Sequence, residues 1–213
     1  MSKLRLKISM SLDGFVAGPE QSVKDPLGIG GEGLHEWVVP LVAWRSVHGL
    51  PGGEVNQSSA VVAESVANIG ATVMGRHMFG GHPGPWSAEK PWQGWWGEEP
   101  PFHHPVFVLT HHPREPLALR GTTFTFVTDG IESALEQARQ AAGGQDVSLA
   151  GGAKAAQQYL AAGLVDEMEV HLVPVLLGGG ERLFENVGTD LHGLELVRVV
   201  AAPRVTHLKF ARP

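Results

Sequence analysis

The segment VSLAGGAKAAQQYLAA, residues 147–162, is typical of a strand, a pair of glycines and a helix in direct succession. Val147 to Ala150 is a short apolar run, and the helix predicted from Ala153 stops at Gly163. Two other segments also end a predicted strand in a turn or a helix start: Val73-Met74-Gly75-Arg76-His77 and Val108-Leu109-Thr110. Strand ends that open onto helix N-termini are where open α/β sheets bind phosphate groups. The three segments together therefore point to an enzyme that uses a nucleotide cofactor.

Outward from these segments, the chain alternates between predicted strands and helices. Leu4, Leu6, Ile8 and Met10 alternate with polar or small residues and predict a first strand, and the apolar run from 166 to 177 predicts a central one. Ser58 or Ser59 is expected to cap a helix that ends at Gly70. The remaining predictions are strands at 71–74, 105–110 and 122–127, a helix with an Asp129/Glu132 capping box, a short helix within 34–47, and an antiparallel hairpin formed by 194–201 and 205–210.

These elements predict the α/β class. We expect a single three-layer domain over residues 1–213, in which a mixed, mostly parallel central sheet is flanked by helices and ends in a C-terminal antiparallel hairpin. Two stretches rich in Gly and Pro, at about 18–57 and 80–104, are expected to be irregular inserts.

Composition narrows the class of protein further. The chain has 213 residues, of which 43% are hydrophobic, and it contains no cysteine, so disulfides, a thiolate nucleophile and a Cys-type zinc site are excluded. The formal net charge of -6 with dispersed Lys and Arg argues against nucleic acid as a partner. No apolar run approaches the length of a membrane-spanning helix. We expect a soluble, cytoplasmic protein with a small-molecule substrate.

Several other patterns carry less weight. Gly28, Gly30 and Gly33 match the letters of a dinucleotide-binding fingerprint, but no strand precedes them. The histidine pairs 103–104 and 111–112 lack acidic residues at ligand spacing, so no metal site is predicted. Trp86, Trp92, Trp95 and Trp96 are expected mainly to anchor the second insert, with one or two facing a pocket.

The chain resembles the dihydrofolate reductase-like superfamily. Three segments carry the resemblance: Ser11-Leu12-Asp13-Gly14-Phe15-Val16-Ala17-Gly18, Val73-Met74-Gly75-Arg76, and Gly163-Leu164-Val165-Asp166-Glu167 followed by Pro174-Val175-Leu176-Leu177-Gly178. Within the superfamily, the chain is similar to the reductase domain of the bifunctional riboflavin-biosynthesis deaminase/reductase and to its stand-alone relatives.

The resemblance implies NADPH bound along the carboxyl ends of the strands. Gly75, Arg76 and His77 would lie near the phosphates, and Leu109, Thr110 and His111 around the adenosine half. Gly151, Gly152, Ala153 and Lys154 would receive the pyrophosphate at a helix N-terminus, while Met10 and Ala17 would border the nicotinamide. Gly178 and Gly179 would border the substrate.

The proton donor is the weakest part of the match. Dihydrofolate reductases place a carboxylate on the helix before the Met-Gly-Arg strand, but the matching position here is Ser58 or Ser59. The candidate catalytic acids are therefore Glu64, which lies further along that helix, and Asp13, which follows the first strand. Asp13 has an alternative interpretation as an Asp-Gly turn residue.

The predicted function is that of an NADPH-dependent reductase of a small, flat, heterocyclic substrate, pterin-like or aminopyrimidine-like. Two alternatives remain open. One is a reductase that uses another hydride carrier, such as a deazaflavin, and the other is a non-catalytic nucleotide-binding or interaction protein on the same scaffold. The resemblance also implies a homodimer, for which the hairpin between Leu194 and Phe210 offers an apolar surface.

Overall fold

A computed structural model describes residues 2–89 and 91–213. The strands are β1 (Leu4–Ser11), β2 (Phe15–Ala17), β3 (Ile69–Gly75), β4 (Val106–Leu109), β5 (Leu117–Leu119), β6 (Thr122–Val127), β7 (Asp146–Leu149), β8 (Glu167–Val173), β9 (Glu181–Arg182), β10 (Glu195–Ala202) and β11 (Val205–Ala211). The helices are α1 (Val42–Val47), α2 (Gln57–Val66), α3 (Arg76–Phe79), α4 (Ile131–Ala141) and α5 (Ala153–Ala161), with a 3₁₀ turn at Gly31–Leu34.

In the described part of the chain, nine strands form one sheet in the order β10-β11-β8-β1-β7-β3-β4-β6-β5. The six strands from β8 to β6 in this order run parallel to one another, while β5 pairs antiparallel with β6, β11 with β8, and β10 with β11. The predicted fold is confirmed: a mixed, mostly parallel sheet ends in an antiparallel hairpin. Because the inner strands are parallel, their carboxyl ends meet at one edge of the sheet, as a ligand site requires.

One face of the sheet is covered by α4 and α5 and is almost wholly apolar. Helix α4 turns Ala134, Leu135 and Ala138 inward, because residues three and four apart share one side of a helix. Helix α5 adds Ala156 and Tyr159. These side chains pack on strand residues that alternate toward the same face: Leu4, Leu6, Val73, Phe107, Val147, Leu149, Met168 and Val170.

The opposite face is divided into two parts. Over β3, β4 and β6, the second insert lays Trp86, Trp92 and Trp96 on a cluster around Phe79 and Phe124. Over β1, β8 and β11, α2 and the first insert cover a layer that contains many charged and polar side chains, described below. The sheet therefore has an apolar face and a face that is half aromatic and half polar.

Several element boundaries differ from the sequence prediction. Helix α2 is capped by Asn56, whose Oδ1 accepts the Ser58 N–H at 2.9 Å, while the Ser59 hydroxyl accepts the Asn56 N–H at 3.0 Å. Helix α4 has no Asp129 capping box, because it begins after Gly130 without a side-chain cap.

Two further predicted elements are shorter than expected. The central strand ends at Val173, because Pro174 has no N–H to donate to the sheet. The helical pattern of 34–47 is split into the 3₁₀ turn and α1, which begins only after Pro40 and Leu41. No helix within the described ranges is long and apolar enough to cross a membrane.

Candidate functional site

A cavity of about 890 Å³ opens at the carboxyl edge of the sheet. Its lining includes the ends of β3, β4 and β7, so Arg76, Thr110 and Gly152 share the wall of one cavity. Gly75, His77, Leu109, His111, Ala153 and Lys154 line it as well, together with Ala17 from β2. The three strand ends identified in the sequence are therefore brought together in space.

The start of α5 forms a rim of this cavity whose backbone is open to a ligand. Gly152 provides no side-chain cap, and the N–H groups of Ala153 and Lys154 find no acceptor in the described residues. A Cβ built on Gly152 would meet no atom within 4 Å, so a side chain there would fill open cavity. Free N–H groups at a helix start and close access to the backbone are what a phosphate group needs.

Gly75 is required for a different reason. Its N–H donates to the carbonyl oxygen of Gly151 at 2.6 Å, and a Cβ at Gly75 would lie 3.1 Å from the Cβ of Ala155. This glycine thus holds the end of β3 against the turn that follows β7. Gly151 supplies the carbonyl oxygen for this hydrogen bond and does not line the cavity.

Arg76 is anchored by the second insert. Its guanidinium lies 3.5 Å from the centroid of the Trp86 ring, and its Nη atoms donate to the carbonyl oxygens of Gly80 and His82. Its Nε is buried and has no partner among the described residues. The resemblance placed Arg76 near the cofactor phosphates, but most of the hydrogen-bonding capacity of its guanidinium is used to hold the insert.

The other residues of the rim differ in their exposure, and Thr110 is buried. The hydroxyl of Thr110 accepts the His112 N–H at 3.1 Å, so it closes its own turn rather than pointing outward as a free donor. His77, His111 and Lys154 are exposed. Met10 packs against the apolar core and is absent from the cavity lining, where Ile8 of the same strand appears instead.

The geometry argues against Asp13 as a proton donor. Its carboxylate accepts hydrogen bonds from the Ser11 hydroxyl at 2.6 Å and from the backbone N–H groups of Leu177 and Gly178. The Ser11 hydroxyl, followed by these amides, lowers the pKa of Asp13 to about 2. An ionised, fully bonded carboxylate outside the cavity lining joins two loops instead of protonating a substrate.

Glu64 has a structural environment too. Its carboxylate binds Arg198 at 2.5 Å and Lys209 at 2.6 Å, and the Lys209 hydrogen bond leads the contacts that lower its pKa. Glu64 does not line the cavity, and neither do Gly178 and Gly179, which were expected to border the substrate. Glu64 lies on α2, as predicted. Its side chain points to the β10–β11 hairpin, where it pairs with Arg198 and Lys209.

The polar end of the cavity was missed by sequence reasoning. It is lined by Lys7 and Ser9 of β1, His171 of β8, and His35 and Trp37 of the first insert. The Lys7 side chain makes no hydrogen bond or ion pair within 2–89 and 91–213, and burial, followed by the charge of Arg5, lowers its pKa against the opposing effect of Glu169. The Nδ1 of His35 is buried and unpaired among the same residues. Unpartnered polar nitrogens of this kind mark a site for a polar ligand.

His171 belongs to a chain of hydrogen bonds. Its Nδ1 lies 2.8 Å from Nδ1 of His207, and Nε2 of His207 lies 2.9 Å from the Ser58 hydroxyl. Trp37 covers both rings, with centroid distances of 4.7 and 5.0 Å, and its Nε1 donates to Ser9 at 3.2 Å. Burial lowers the pKa of His171 to about 3 and that of His207 to about 4, so both rings are neutral near pH 7.

A signal for Lys7 was present in the sequence. A lysine in the middle of a strand that is predicted to be central needs a polar environment, and the alternation of β1 puts Lys7 and Ser9 on the face opposite Leu6. His171 and His207 carried no such signal, because their pairing depends on the order of the strands.

The tryptophans of the second insert behave largely as predicted. Trp92 Nε1 donates to the Phe79 carbonyl at 2.8 Å, and Trp95 Nε1 donates to that of Met78 at 3.0 Å. Trp95 and Trp96 also line the cavity. The described residues contain no group of three His, Cys, Asp or Glu side chains that could hold a metal ion.

Comparison with known proteins identifies the scaffold. A protein described as a riboflavin biosynthesis protein from Shewanella sp. PV-4 matches with a TM-score of 0.60 at 19% identity, over 99% of each chain. The diaminohydroxyphosphoribosylaminopyrimidine deaminase/5-amino-6-(5-phosphoribosylamino)uracil reductase of Thermotoga maritima matches at 0.57 and 13% identity, over 100% of this chain and 57% of that one. Dihydrofolate reductase from Enterococcus faecalis, in complex with NADP(H), matches at 0.52 and 13% identity, over 99% and 96%. No curated protein matches the sequence significantly.

The family model of the RibD C-terminal domain matches residues 2–208. The resemblance to the dihydrofolate reductase-like superfamily and to its riboflavin-biosynthesis branch is thereby confirmed, and the chain belongs to the RibD C-terminal domain family.

Proposed function

We propose that this protein is an NADPH-dependent reductase of a small, flat heterocycle, pterin-like or aminopyrimidine-like, and that it works in the cytoplasm. One observation carries the proposal: a single cavity joins an anion-binding rim at α5 to a polar end that contains the unpaired Lys7. A cofactor and a substrate that must react with each other need adjoining sites of these two kinds. Membership in the RibD C-terminal domain family supports the same reaction class.

The residues of the rim fit a phosphorylated dinucleotide. The open space above Gly152 and the free N–H groups of Ala153 and Lys154 suit a pyrophosphate. Lys154, His77 and His111 supply positive or ionisable groups around it, and the unpaired Nε of Arg76 adds a buried donor. When bound, the dihydronicotinamide of NADPH supplies a hydride.

The polar end of the cavity would then orient and protonate the substrate. Reduction of a C=N bond requires a proton at nitrogen as well as the hydride at carbon. Lys7 Nζ holds such a proton, and the burial that lowers its pKa makes the ammonium a better acid. After it releases the proton, the neutral amine takes up another from water when the product leaves. Trp37, Trp95 and Trp96 provide flat apolar surface beside a ring and limit the access of water.

Calorimetric titration tests the cofactor. We expect NADPH to bind with micromolar-range affinity and more tightly than NADH. Gly152→Val should abolish binding, because its side chain enters the space above the α5 N-terminus. Gly179→Val is the matched control, since a Cβ there makes only ordinary contact with Pro19 and lies outside the cavity. The thermal unfolding of each variant checks its fold.

The outcomes separate the alternatives. If neither nucleotide binds and a deazaflavin does, another hydride carrier replaces NADPH. If NADPH binds but is not oxidised with any pterin, aminopyrimidine or other heterocycle, the protein is a binding module. Lys7→Met should remove turnover while leaving NADPH affinity within about twofold, because Lys7 lies at the substrate end. An active Lys7→Met variant would contradict its role as the acid.

We also propose a homodimer formed through β10. This strand is at the edge of the sheet, and Leu196, Val197 and Val199 on it are each more than half exposed. Val199→Lys should yield a monomer by light scattering after gel filtration. Leu12→Lys is the control, because Leu12 is as exposed but follows β1, which β8 and β11 separate from the edge strand.

A further inference from the structure

Lys7 lies in the wall between the large cavity and a second, much smaller one. The smaller cavity, which we call the α2 chamber, has a volume of about 10 Å³ and lies between α2 and the strands β1, β8 and β11. Its charged and polar lining consists of Arg5, Lys7, Ser65, Glu167, Glu169 and Lys209. Of these six residues, Lys7 and Ser65 also line the large cavity. Lys7 therefore connects the proposed substrate site to a buried group of charges.

Strand pairing places one carboxylate next to Lys7. Glu169 of β8 is in register with Lys7 of β1 on one side and with Lys209 of β11 on the other. Residues in register project from the same face of a sheet, and neighbouring strands are about 4.8 Å apart. Lys209 is already engaged, because its Nζ lies 2.6 Å from Glu64 and 3.2 Å from Glu167. Lys7 is thus the neighbour of Glu169 that has no ion pair of its own among the described residues.

Arg198 of β10 holds Glu169 in this position. Its Nη2 donates to Oε1 of Glu169 at 3.0 Å, while its Nη1 donates to Glu64. Burial raises the pKa of Glu169, and the hydrogen bond from Arg198 opposes this by favouring the charged carboxylate. No residue of the described ranges donates a hydrogen bond to Oε2 of Glu169. One oxygen of a fixed carboxylate is therefore left to act on the groups of the chamber.

Little solvent screens the charges around the chamber. The side chains of Arg5, Glu167, Glu169 and Lys209 are each 16% exposed or less. Charges in such surroundings interact several times more strongly than charges in bulk water. Burial and the charge of Arg5 both lower the pKa of Lys7, and Glu169 is the group that raises it.

The other titratable and charged groups around Lys7 come from every element packed against it. They are Arg5 on β1, Asp146 on β7, Glu167 and His171 on β8, His207 and Lys209 on β11, Arg198 on β10, Glu64 on α2, His35 on the first insert and His104 before β4. The carboxylates in this set are neutralised by other cations: Asp146 by Arg5, Glu64 by Arg198 and Lys209, and Glu167 by Lys3, Arg5 and Lys209. Glu169 is the carboxylate that is left to Lys7.

We propose that Glu169, held by Arg198 and acting across the α2 chamber, keeps the ammonium group of Lys7 protonated so that it can serve as the acid of the reaction. Without this carboxylate, a buried amine beside Arg5 would lose its proton. Glu169 is then a positioning residue, since it lines the chamber and not the large cavity. The inference rests on the proposed function, in which Lys7 protonates the substrate.

The titration of Lys7 tests this coupling without any ligand. ¹H–¹³C correlation spectra of the lysine Cε groups report the pKa of each ammonium group, and Lys7→Met identifies the signal. We expect Lys7 to titrate below the ordinary value of 10.5 in the wild type. In Glu169→Gln it should titrate about one pH unit lower still, because an opposite charge is lost. Glu169→Asp retains the carboxylate and should restore most of this shift.

The titration of Lys7 should move in the opposite direction when a positive charge is removed. Arg5→Met is expected to raise the pKa of Lys7, because the charge of Arg5 lowers it in the wild type. Glu167→Gln is the matched control, since Glu167 lines the same chamber but is in register with Arg5 instead of Lys7. It should shift the titration of Lys7 less than half as far as Glu169→Gln does.

Turnover gives a second measurement. Oxidation of NADPH is followed with 6-methyl-7,8-dihydropterin, a probe that has a C=N bond, from about pH 6 to about pH 10. The profile of kcat/KM reports the ionisation of groups in the free enzyme, so its alkaline limb should coincide with the titration of Lys7. The limb should move to lower pH in Glu169→Gln and to higher pH in Arg5→Met. A role of Glu169 in the fold alone would lower the rate without moving the limb.

The outcomes separate the inference from the proposed function. An unchanged titration of Lys7 in Glu169→Gln, shifts of the same sign in Glu169→Gln and Arg5→Met, or an equal shift in Glu167→Gln overturns the inference. If the titration moves as expected but the probe is not reduced, or its pH profile stays fixed, the proposed function fails while the coupling between Glu169 and Lys7 stands. Thermal unfolding checks the fold of each variant, and Glu169→Met replaces Glu169→Gln if the buried amide prevents folding.

Discussion

On the face covered by α4 and α5, β1 contributes Leu4, Leu6 and Ile8, whereas on the face covered by α2 the same strand contributes Arg5, Lys7 and Ser9. The apolar side chains of the first face are close-packed, and their contacts have no preferred direction. The second is held by specific pairs, such as Arg198 with Glu64 and Glu169. Because side chains alternate along a strand, β1 contributes apolar core residues to one face and polar side chains that line the cavity to the other.

The difference has a physical reason. Apolar burial gains free energy in proportion to area and tolerates no empty space, so a cavity inside the α4–α5 layer would cost stability. The ligand cavity borders that layer only at the strand ends, through residues such as Ile8, Ile131 and Ala153. Polar groups on the α2 face must be paired, and the nitrogens of Lys7 and His35 that stay unpaired lie where we propose that the substrate binds. Three predictions examine this contrast.

The largest effect is expected on the apolar face. Leu6→Ala should reduce the free energy of unfolding by about 2–5 kcal/mol, because Leu6 is fully buried and its removal leaves a cavity. Urea denaturation measures this loss, and NADPH affinity of the folded variant should be unchanged. Leu12→Ala, at a residue that is 57% exposed, is the control. A loss as small as that of the control would show that this face is loosely packed.

The second effect is a dependence on pH that originates on the polar face. Burial holds the pKa of His171 at about 3 and that of His207 at about 4, below the ordinary value of 6.5, so the unfolded chain binds protons there that the folded one does not. Stability should therefore fall as the pH drops below about 6.5, by about 2 kcal/mol between pH 6 and pH 5 for the two rings. The lowered pKa values of His35 and His104 act in the same direction, and the raised pKa of Glu169 opposes them.

Urea denaturation at several pH values checks this slope. The double variant His171→Phe/His207→Phe should have a flatter profile than the wild type, whereas Leu6→Ala should lower the profile without changing its slope. An equal slope in the double variant would mean that the acid sensitivity does not come from these rings.

The smallest effect concerns the ion pairs. Arg198→Met removes the guanidinium that pairs with both Glu64 and Glu169, and we expect a loss of about 1 kcal/mol because Arg198 and Glu64 are each about a third exposed. The loss should shrink in high salt. Arg120→Met breaks an exposed pair with Glu99 and should have no measurable effect. A salt-independent loss would indicate that the arginine acts by packing its stem.

Much of the fold could be predicted because it depends on short-range pattern. The alternation of Leu4, Leu6 and Ile8, the glycines at 75 and 151–152, and the helical repeat of α4 each lie within a few neighbouring residues. The helix caps could not be predicted as well. Asn56 caps α2 with its side chain and Gly130 starts α4 without a side-chain cap, and several nearby polar residues could equally have served as caps.

The candidate site was predictable in part for the same reason. Gly75, Gly152 and Lys154 follow strand ends, and any parallel sheet brings such ends to one edge. The environment of a carboxylate decides its role, and the sequence does not give that environment for the two predicted acids. The pKa of Asp13 is lowered by the nearby Ser11 hydroxyl and by two amides of the 177–178 loop, and Glu64 is paired with β10 and β11.

By itself, the sequence determined the class of fold, the strand ends that form the rim, and the placement of Lys7 opposite the apolar side chains of β1. Only the tertiary structure decided that His171 meets His207 and that His207 meets Ser58, residues separated by 36 and 149 positions in the chain. The physical reason is that periodicity specifies which way a side chain points within its own element. Which strands become neighbours depends on how all the elements bury their apolar faces together.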